Sequence, residues 1–576
     1  MQTVADRKVL QDLQASRQRW ARLPVWDKVG YLGEVRRLTV RHAADWAEAG
    51  AGLKGFPADS PLGVMEEWLQ GPMGLASYLT DLIASLTALD RGDDLLAGIR
   101  LRTRPDGQVI ARVLPRDVYD LLLQARVDVW MQPDVTVENL PASLAPFYQQ
   151  ADPPGRVTLV LGAGNVALLT PLDVLSALVV DGDVVVVKMN PVNEVYGPVI
   201  EQMFAPLVGD GYVRFVYGGA DVGAALVQDD LVERVHMTGG AHTYDAIMWG
   251  TGPEADERRR RGEPLLDKPF TAELGGVGPT IVVPGRWSRA DIELQAQVVA
   301  TQKLNYSGHV CAASQVLVLP ESWPQAEEFL AAVRAARAAA PHRDSFYPGT
   351  QDKIDAFTAD HPGAELLPCR QPRVLLTGLD PGSDHAVFGA ELFAPIYATT
   401  SLPGNTPEEF LVQAIGFAND RLAGNLSANL IIDPATAKHL GPRLEDRVAD
   451  LRAGSIGINT WSVLAGVIGR CPWGAYPGND PADIQSGIGV VHNSLMFPRP
   501  QKNVLWAGFR PTPPVTRRGQ YPRALKPFWL VDNELTLANA HAFVDFYANP
   551  SPRTLLAVLG SMVLPQGTPA TGHQRP

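Results

Sequence analysis

Hydrophobic positions three and four residues apart dominate the first hundred residues. The runs Val9-Leu-Gln-Asp-Leu-Gln-Ala and Trp26-Asp-Lys-Val-Gly-Tyr-Leu-Gly-Glu-Val both carry this spacing, which gathers apolar side chains on one face of a helix. From Val157 the pattern changes. Unbroken apolar, β-branched runs stand at 157–161, 184–187, 213–216, 235–237 and 280–283, separated by segments of helix length. Strands without polar alternation are buried on both faces, so this order predicts a parallel sheet covered by helices. A second α/β region opens with the run 315–319 and extends to about Trp461. Within it, the Ala-rich stretch 327–340 predicts a helix that Pro341 ends. Past Phe497 the chain is rich in Pro and Arg, and residues 565–576 read as a disordered tail.

A chain of 576 residues exceeds one hydrophobic core and predicts roughly two to four domains. The balance of 50 Lys+Arg against 62 Asp+Glu, a net charge of -12, disfavours nucleic acid and anionic membrane as partners. A small molecule is the expected partner. The longest late apolar run, 555–564, is half the length of a bilayer-spanning helix, so no membrane span is expected. The start Met1-Gln-Thr-Val-Ala-Asp-Arg lacks the basic-then-apolar order of a secretory signal. Three separated cysteines without a CxxC pair predict neither a disulfide framework nor a metal site, in keeping with a reducing cytoplasm.

Two motifs carry chemistry. Cys311, in Asn305-Tyr-Ser-Gly-His-Val-Cys311-Ala-Ala-Ser314, lies 38 residues after Glu273 in Thr271-Ala-Glu273-Leu-Gly-Gly276. They read as a thiol nucleophile and its general base, against the alternative of an inert buried cysteine and a solvated glutamate. The Ala-Ala-Ser stretch after a glycine places Cys311 at a helix N-terminus, where the macrodipole would favour a thiolate. The second motif, Gly162-Ala-Gly164-Asn165-Val-Ala167, has the glycine spacing of a dinucleotide fingerprint. That reading needs an acidic residue closing the next strand. The strand ends Lys188-Met-Asn-Pro191 instead, with no carboxylate before Glu194, so the strict fingerprint is the weaker reading. Arg258–Arg261 reads as a solvated loop, and His309 as a residue satisfying a local hydrogen bond.

Taken in order, these pieces resemble the aldehyde dehydrogenase superfamily over roughly residues 157–497. Asn165 and Lys188 have the 23-residue separation of that family's strand-end Asn and Lys. Met237-Thr238-Gly239-Gly240 resembles its Phe-Thr-Gly-Ser turn, Glu273-Leu-Gly-Gly its Glu-Leu-Gly-Gly, and Glu391-Leu-Phe393-Ala-Pro its Glu-x-Phe-Gly-Pro. Gly457-Ile-Asn459 and Pro472-Trp-Gly474 complete the series. The resemblance implies an α/β fold, aldehyde dehydrogenase-like, with a Rossmann-type cofactor domain, an α/β catalytic domain and a helical N-terminal region. The corresponding division is 1–110 helical, 111–275 NAD(P)-binding, 276–465 catalytic, 466–564 returning to the cofactor domain with a C-terminal extension, and the tail 565–576.

By the same resemblance Cys311, Glu273 and Asn165 are catalytic, with Asn165 as oxyanion donor. Lys188, Thr238, Gly239, Gly240, Glu391 and Phe393 bind the cofactor. The implied activity is oxidation of an aldehyde to a carboxylic acid with NAD or NADP, in a homo-oligomer, dimer or tetramer. Pro191 replaces the Glu of many NAD-preferring members, leaving NADP open, with Glu194 close by in sequence. Two alternatives stay open at this stage: an NADPH-dependent acyl-CoA or acyl-protein reductase, and a nucleotide-binding scaffold without catalysis, to which Gly240 and Ala394 would point.

Overall fold

The computed structural model describes residues 4–510 and 526–563, so the tail expected at 565–576 lies outside the described residues. The periodic N-terminal stretch forms the helices Val4–Ala21, Val25–Arg41, Ala43–Lys54 and Gly74–Arg91, with a π-helical turn, Val64–Met73, between the last two. Leu10, Leu13, Leu32 and Val35 are the buried stripe that the spacing predicted.

Two sheets follow. The smaller contains β4 (Val157–Leu161), β5 (Val184–Lys188), β6 (Val213–Val216), β7 (Arg234–Gly239), β8 (Phe270–Leu274) and β16 (Gly487–Ile488), in the order β16-β8-β7-β4-β5-β6. The strands β8, β7, β4, β5 and β6 are parallel, and β16 is antiparallel to β8. Because the chain leaves β4 for β5 on one side and returns to β7 on the other, a crevice opens beyond the carboxyl ends of β4 and β7, where doubly wound sheets bind ligands.

The larger sheet runs β1 (Arg100–Thr103), β2 (Val109–Leu114), β3 (Ala125–Met131), β17 (Pro500–Ala507), β15 (Ser455–Ile458), β14 (Ser427–Ile431), β9 (Gly278–Val282), β10 (Ser314–Pro320), β13 (Ile396–Leu402), β12 (Val374–Leu379) and β11 (Glu365–Leu366). Its stretch from β17 to β12 is parallel, as the unbroken apolar runs require. The predicted Ala-rich helix is Ala326–Ala339. The arginine run 258–261 is not a loop but the end of the helix Pro253–Arg261. Glu254–Arg258 and Glu257–Arg261 pairs one turn apart, with acid first and base last, suit a helix and its dipole.

The chain passes from the smaller sheet to the larger in the few residues between β8 and β9, and Gly275-Gly276 makes the passage. A Cβ on Gly275 would stand 2.2 Å from the Glu391 carboxylate, and one on Gly276 would stand 3.1 Å from the Gly424 backbone. The Leu-Gly-Gly after Glu273 is therefore a requirement of close approach.

The N-terminal helices reach the same region through a buried ionic cluster. Lys54 pairs with Glu67, whose other oxygen accepts the Tyr196 hydroxyl at 2.8 Å. Neighbouring Glu66 pairs with Arg343 at 3.2 Å and accepts the Tyr306 backbone N–H at 3.0 Å. Lys54 also stands 3.7 Å over the Tyr306 ring. Tyr306 and Ser307 hold φ of +49 and +55, unusual for residues with side chains. The cluster clamps this strained turn five residues before Cys311. Removing one member of a buried pair leaves the other charge without compensation, at roughly 3–5 kcal/mol. Lys54→Met is expected to lower unfolding stability by about 3 kcal/mol in a urea titration, and a midpoint within error of the parent contradicts the clamp.

Candidate active site

β9 and β10 pair in parallel with Ser314 opposite Gly278. Counting back from that register, the Cys311 turn lies beside the segment that follows Glu273. β13 pairs with β10 on its other side and is preceded by Glu391-Leu-Phe393. The amino ends of three adjacent strands in the larger sheet thus meet the carboxyl ends of β4, β5, β7 and β8 in the smaller one. Asn165 follows β4, and its Nδ2 donates to the His309 carbonyl at 3.0 Å, two residues before the cysteine. Cys311, Glu273 and Asn165 are brought together, although they are spread over 147 residues of sequence.

Cys311 is half-buried in a turn between the short helix Asn305–Gly308 and β10. It does not begin a helix, because Ser314 enters the sheet. The expected dipole-stabilised thiolate is corrected accordingly: burial, with the Glu273 and Glu391 carboxylates nearby, pushes the thiol well above the usual cysteine range. Glu273 is buried and pushed up to about 8, by burial first and then by the charge of Asp173. The Trp473 indole and the Cys311 thiol face it and draw it part of the way back. Neither closes a hydrogen bond of regular geometry: both Glu273 oxygens and Trp473 Nε1 lack a partner among the described residues. A buried carboxyl with open lone pairs beside a thiol is suited to accept a proton from an incoming molecule.

His309 is fully buried, with Nδ1 2.9 Å from the Tyr306 carbonyl and Nε2 2.9 Å from Thr350 Oγ1. Burial pulls its pKa to about 3, so it is neutral and structural. Phe393, at φ +46, packs against His309 and Tyr347 with ring centroids 5.4 and 5.0 Å away. Ala394 is fully buried, and its carbonyl lies 2.7 Å from where a Gly308 Cβ would be. Glu391 is pushed up to about 8 by burial, with Lys303 and Lys353 opposing.

Around the crevice stand a cation, an acid and a helix start. Lys188 is buried at the carboxyl end of β5; burial lowers its pKa, while the Glu194 and Asp221 carboxylates pull it back up. Glu194 accepts the Gly218 N–H at 3.1 Å, which places an acid at the β5–β6 edge although Pro191 is no acid. Gly240 is exposed at the start of the helix Ala241–Met248, and a Cβ there would have open space within 4 Å. Such a helix start offers backbone N–H groups to a phosphate. Thr238 differs from its neighbours: its hydroxyl is buried and donates to Asp173 Oδ2 at 2.8 Å, so its side chain faces away from the crevice.

Asp173, His236 and His492 stand around the site without having been singled out by spacing, whereas Trp473 lies in the Pro472-Trp-Gly474 turn that was. The available signal was an acid inside the apolar run Leu172-Asp-Val-Leu175, since a carboxylate there must be buried and paired. A largely apolar cavity of about 1410 Å³ lies between the helices Gly74–Arg91 and Leu537–Ala548 and reaches Thr460 and Leu464. Trp461, between those two, donates its indole N–H to the Ala312 carbonyl at 3.2 Å, directly after the cysteine.

Among known proteins, the model of the aldehyde dehydrogenase family matches residues 128–352, the part that holds Asn165, Lys188, Glu273 and Cys311. The chain is 24% identical over 343 residues to the Pseudomonas aeruginosa protein named "Probable coniferyl aldehyde dehydrogenase", covering 55% of this chain and 64% of that one. It is 24% identical over 234 residues to N-succinylglutamate 5-semialdehyde dehydrogenase 1 of Caulobacter vibrioides, covering 39% and 46%. The matches therefore span roughly half to two thirds of these relatives' length. In fold, it is similar to the NADP-dependent glyceraldehyde-3-phosphate dehydrogenase of Bacillus halodurans, with a TM-score of 0.56, 17% identity and coverage of 87% and 90%. It is equally similar to aldehyde dehydrogenase C of Pseudomonas syringae, with a TM-score of 0.57, 15% identity and coverage of 88% and 89%. The family match over residues 128–352, which carry the site, makes this part of the chain similar to the aldehyde dehydrogenase family, and the architecture around it is the aldehyde dehydrogenase fold.

Proposed function

We propose that the protein oxidises an aldehyde to a carboxylic acid with a nicotinamide dinucleotide, through a thioester on Cys311. The observation that carries this reading is the meeting of a buried thiol, a buried carboxyl with unpartnered oxygens and a side-chain amide at one point between two sheets. Cys311 Sγ adds to the carbonyl carbon, and Glu273, facing the thiol, takes up its proton. The carbonyl oxygen gains negative charge opposite Asn165, whose Nδ2 spends one hydrogen on His309 and keeps the other for the oxyanion, with the Cys311 backbone N–H as second donor. Lys188, the Gly239-Gly240 backbone and Glu391 would hold NAD or NADP, which when bound supplies the hydride acceptor that makes the adduct a thioester. Glu273, its proton returned to solvent, then deprotonates the water that releases the acid and regenerates the thiol.

A second reading is favoured by one observation. With Glu273 at about 8, most of it is protonated at pH 7, so hydrolysis is slow there and a thiol such as coenzyme A has time to take the acyl group. Run in reverse, with a reduced dinucleotide as hydride donor to the acyl-enzyme, the whole sequence is that of an acyl-thioester reductase. Release accelerated by free coenzyme A in a single-turnover experiment supports it, and release indifferent to coenzyme A rules it out.

Four outcomes are expected. Cys311→Ala abolishes turnover while dinucleotide binding, read by fluorescence titration, is retained; turnover at the parent rate contradicts the assignment. Glu273→Gln gives a burst of reduced cofactor, followed by acyl release slowed by roughly 10²–10⁴-fold. In the parent, release increases with pH through about 8, because only the ionised Glu273 can accept the proton of water. We read Glu194, which accepts the Gly218 N–H beside β5, as facing the adenosine ribose, so NAD is expected to outperform NADP. Glu194→Gln should narrow the ratio of their kcat/KM values by roughly tenfold, about 1.4 kcal/mol, and an unchanged ratio contradicts that placement.

A further inference from the structure

Asp173 lies in the helix Leu169–Leu175, among side chains that are all buried, and is itself 1% exposed. A carboxylate persists in such surroundings only when donors surround it. It has three. Thr238 donates its hydroxyl to Oδ2 at 2.8 Å, His492 Nε2 stands 3.1 Å from Oδ1, and His236 Nε2 stands 3.6 Å from the same oxygen. His236 Nδ1 continues to Thr271 Oγ1 at 3.0 Å.

The register of β7 and β8 shows what these partners are attached to. Thr238 pairs with Glu273, and His236 pairs with Thr271, so both donors stand beside Glu273 and its neighbour on one face of the sheet. His492 follows Val491, which bridges Trp473, the residue whose indole faces Glu273. Four residues upstream, β16 pairs Gly487 with Glu273 itself. The helix that follows Asn165, strands β7 and β8, and the late segment over Glu273 all meet at one carboxylate.

We propose that Asp173 is the positioning residue for Glu273: through Thr238, His236 and His492 it fixes the base against Cys311 and sets a permanent negative charge behind it. Like charges oppose each other's ionisation, so this charge makes Glu273 a stronger base than burial alone would. The other ionisable groups facing Glu273 are Cys311 and Glu391. Those facing Asp173 are His236 and His492, which hold it ionised well below the usual carboxylate range, and Tyr78, whose ring lies 6.1 Å from that of His492. His492 adopts φ +62, and its Nδ1 has no partner among the described residues. The strain fits a side chain held in place by its bond to Asp173.

The inference rests on the reading of Cys311 as nucleophile and Glu273 as base, and its test separates the two. 4-Nitrophenyl acetate acylates a reactive thiol without any dinucleotide: Sγ bonds to the acetyl carbon, 4-nitrophenolate leaves, and water later releases acetate. Acetyl release from the full-length protein is followed against pH in the parent, Asp173→Asn, His492→Leu and His492→Gln. Asp173→Asn is expected to move the midpoint down by about one pH unit, with slower release on the alkaline plateau. His492→Leu, which keeps Asp173 but removes a donor, should slow release, and His492→Gln, whose amide can donate, should restore it. A merely structural Asp173 would leave the midpoint in place. If Asp173→Asn does not fold, the His492 pair decides, and release at the parent rate in His492→Leu overturns the proposal. A parent that never forms an acetyl adduct on Cys311 overturns the underlying reading of the site, whereas an adduct released with the parent midpoint and rate in every variant overturns the role of Asp173 alone.

Discussion

A thiol and a carboxyl that share one buried space cannot both be charged, and the arrangement around Cys311 and Glu273 follows from that constraint. Burial raises the pKa of both groups; the Glu273 carboxylate raises the thiol's further, while the thiol draws Glu273 part of the way back. In water, a carboxyl near 4 and a thiol near 8.5 would be mismatched as partners in proton exchange. Between the two sheets, Glu273 moves into the range where it can both accept a proton and return it. Glu391 lies against Gly275 as a second carboxyl of the same kind, balanced by Lys303 and Lys353.

Holding such a pair together requires rigid support, and the chain supplies it from opposite ends. The Gly275-Gly276 passage lets β8 hand over to β9 without bulk, so that the β9–β10 register decides where the cysteine turn falls. The N-terminal Lys54, Glu66 and Glu67 clamp the left-handed turn ahead of Cys311. Asp173 ties down the surroundings of Glu273 in the same manner. Both supports consist of buried ionic groups, which contribute little net stability but are costly to break.

Much of the fold was legible in the chain because the larger sheet and the β4–β7 unit are buried on both faces and so read as uninterrupted apolar runs. The strands β1 and β2 were not, since Arg100-Leu-Arg-Thr103 mixes charge with apolar residues at a sheet edge. Motif order singled out Asn165, Glu273 and Cys311, and the structure sets Glu273 beside the thiol and Asn165 against His309, two residues before it. What spacing could not supply was their electrostatics. The thiolate expected at a helix start is a thiol in a turn, because the cysteine precedes a strand. Nor could it give the partners of Asp173, which come from positions 236, 238 and 492 and meet only after the sheets have formed.

The mutual influence of Cys311 and Glu273 is the central claim, and the pH dependence of Cys311 alkylation tests it most directly. The rate of iodoacetamide incorporation at Cys311, followed by peptide mass spectrometry with Cys369 and Cys471 as internal references, is compared between the parent and Glu273→Gln. Because the Glu273 carboxylate adds to burial in raising the thiol's pKa, the Cys311 profile should move to lower pH in the variant while the other two cysteines keep theirs. A Cys311 profile indifferent to the substitution would contradict the pairing on which the site depends.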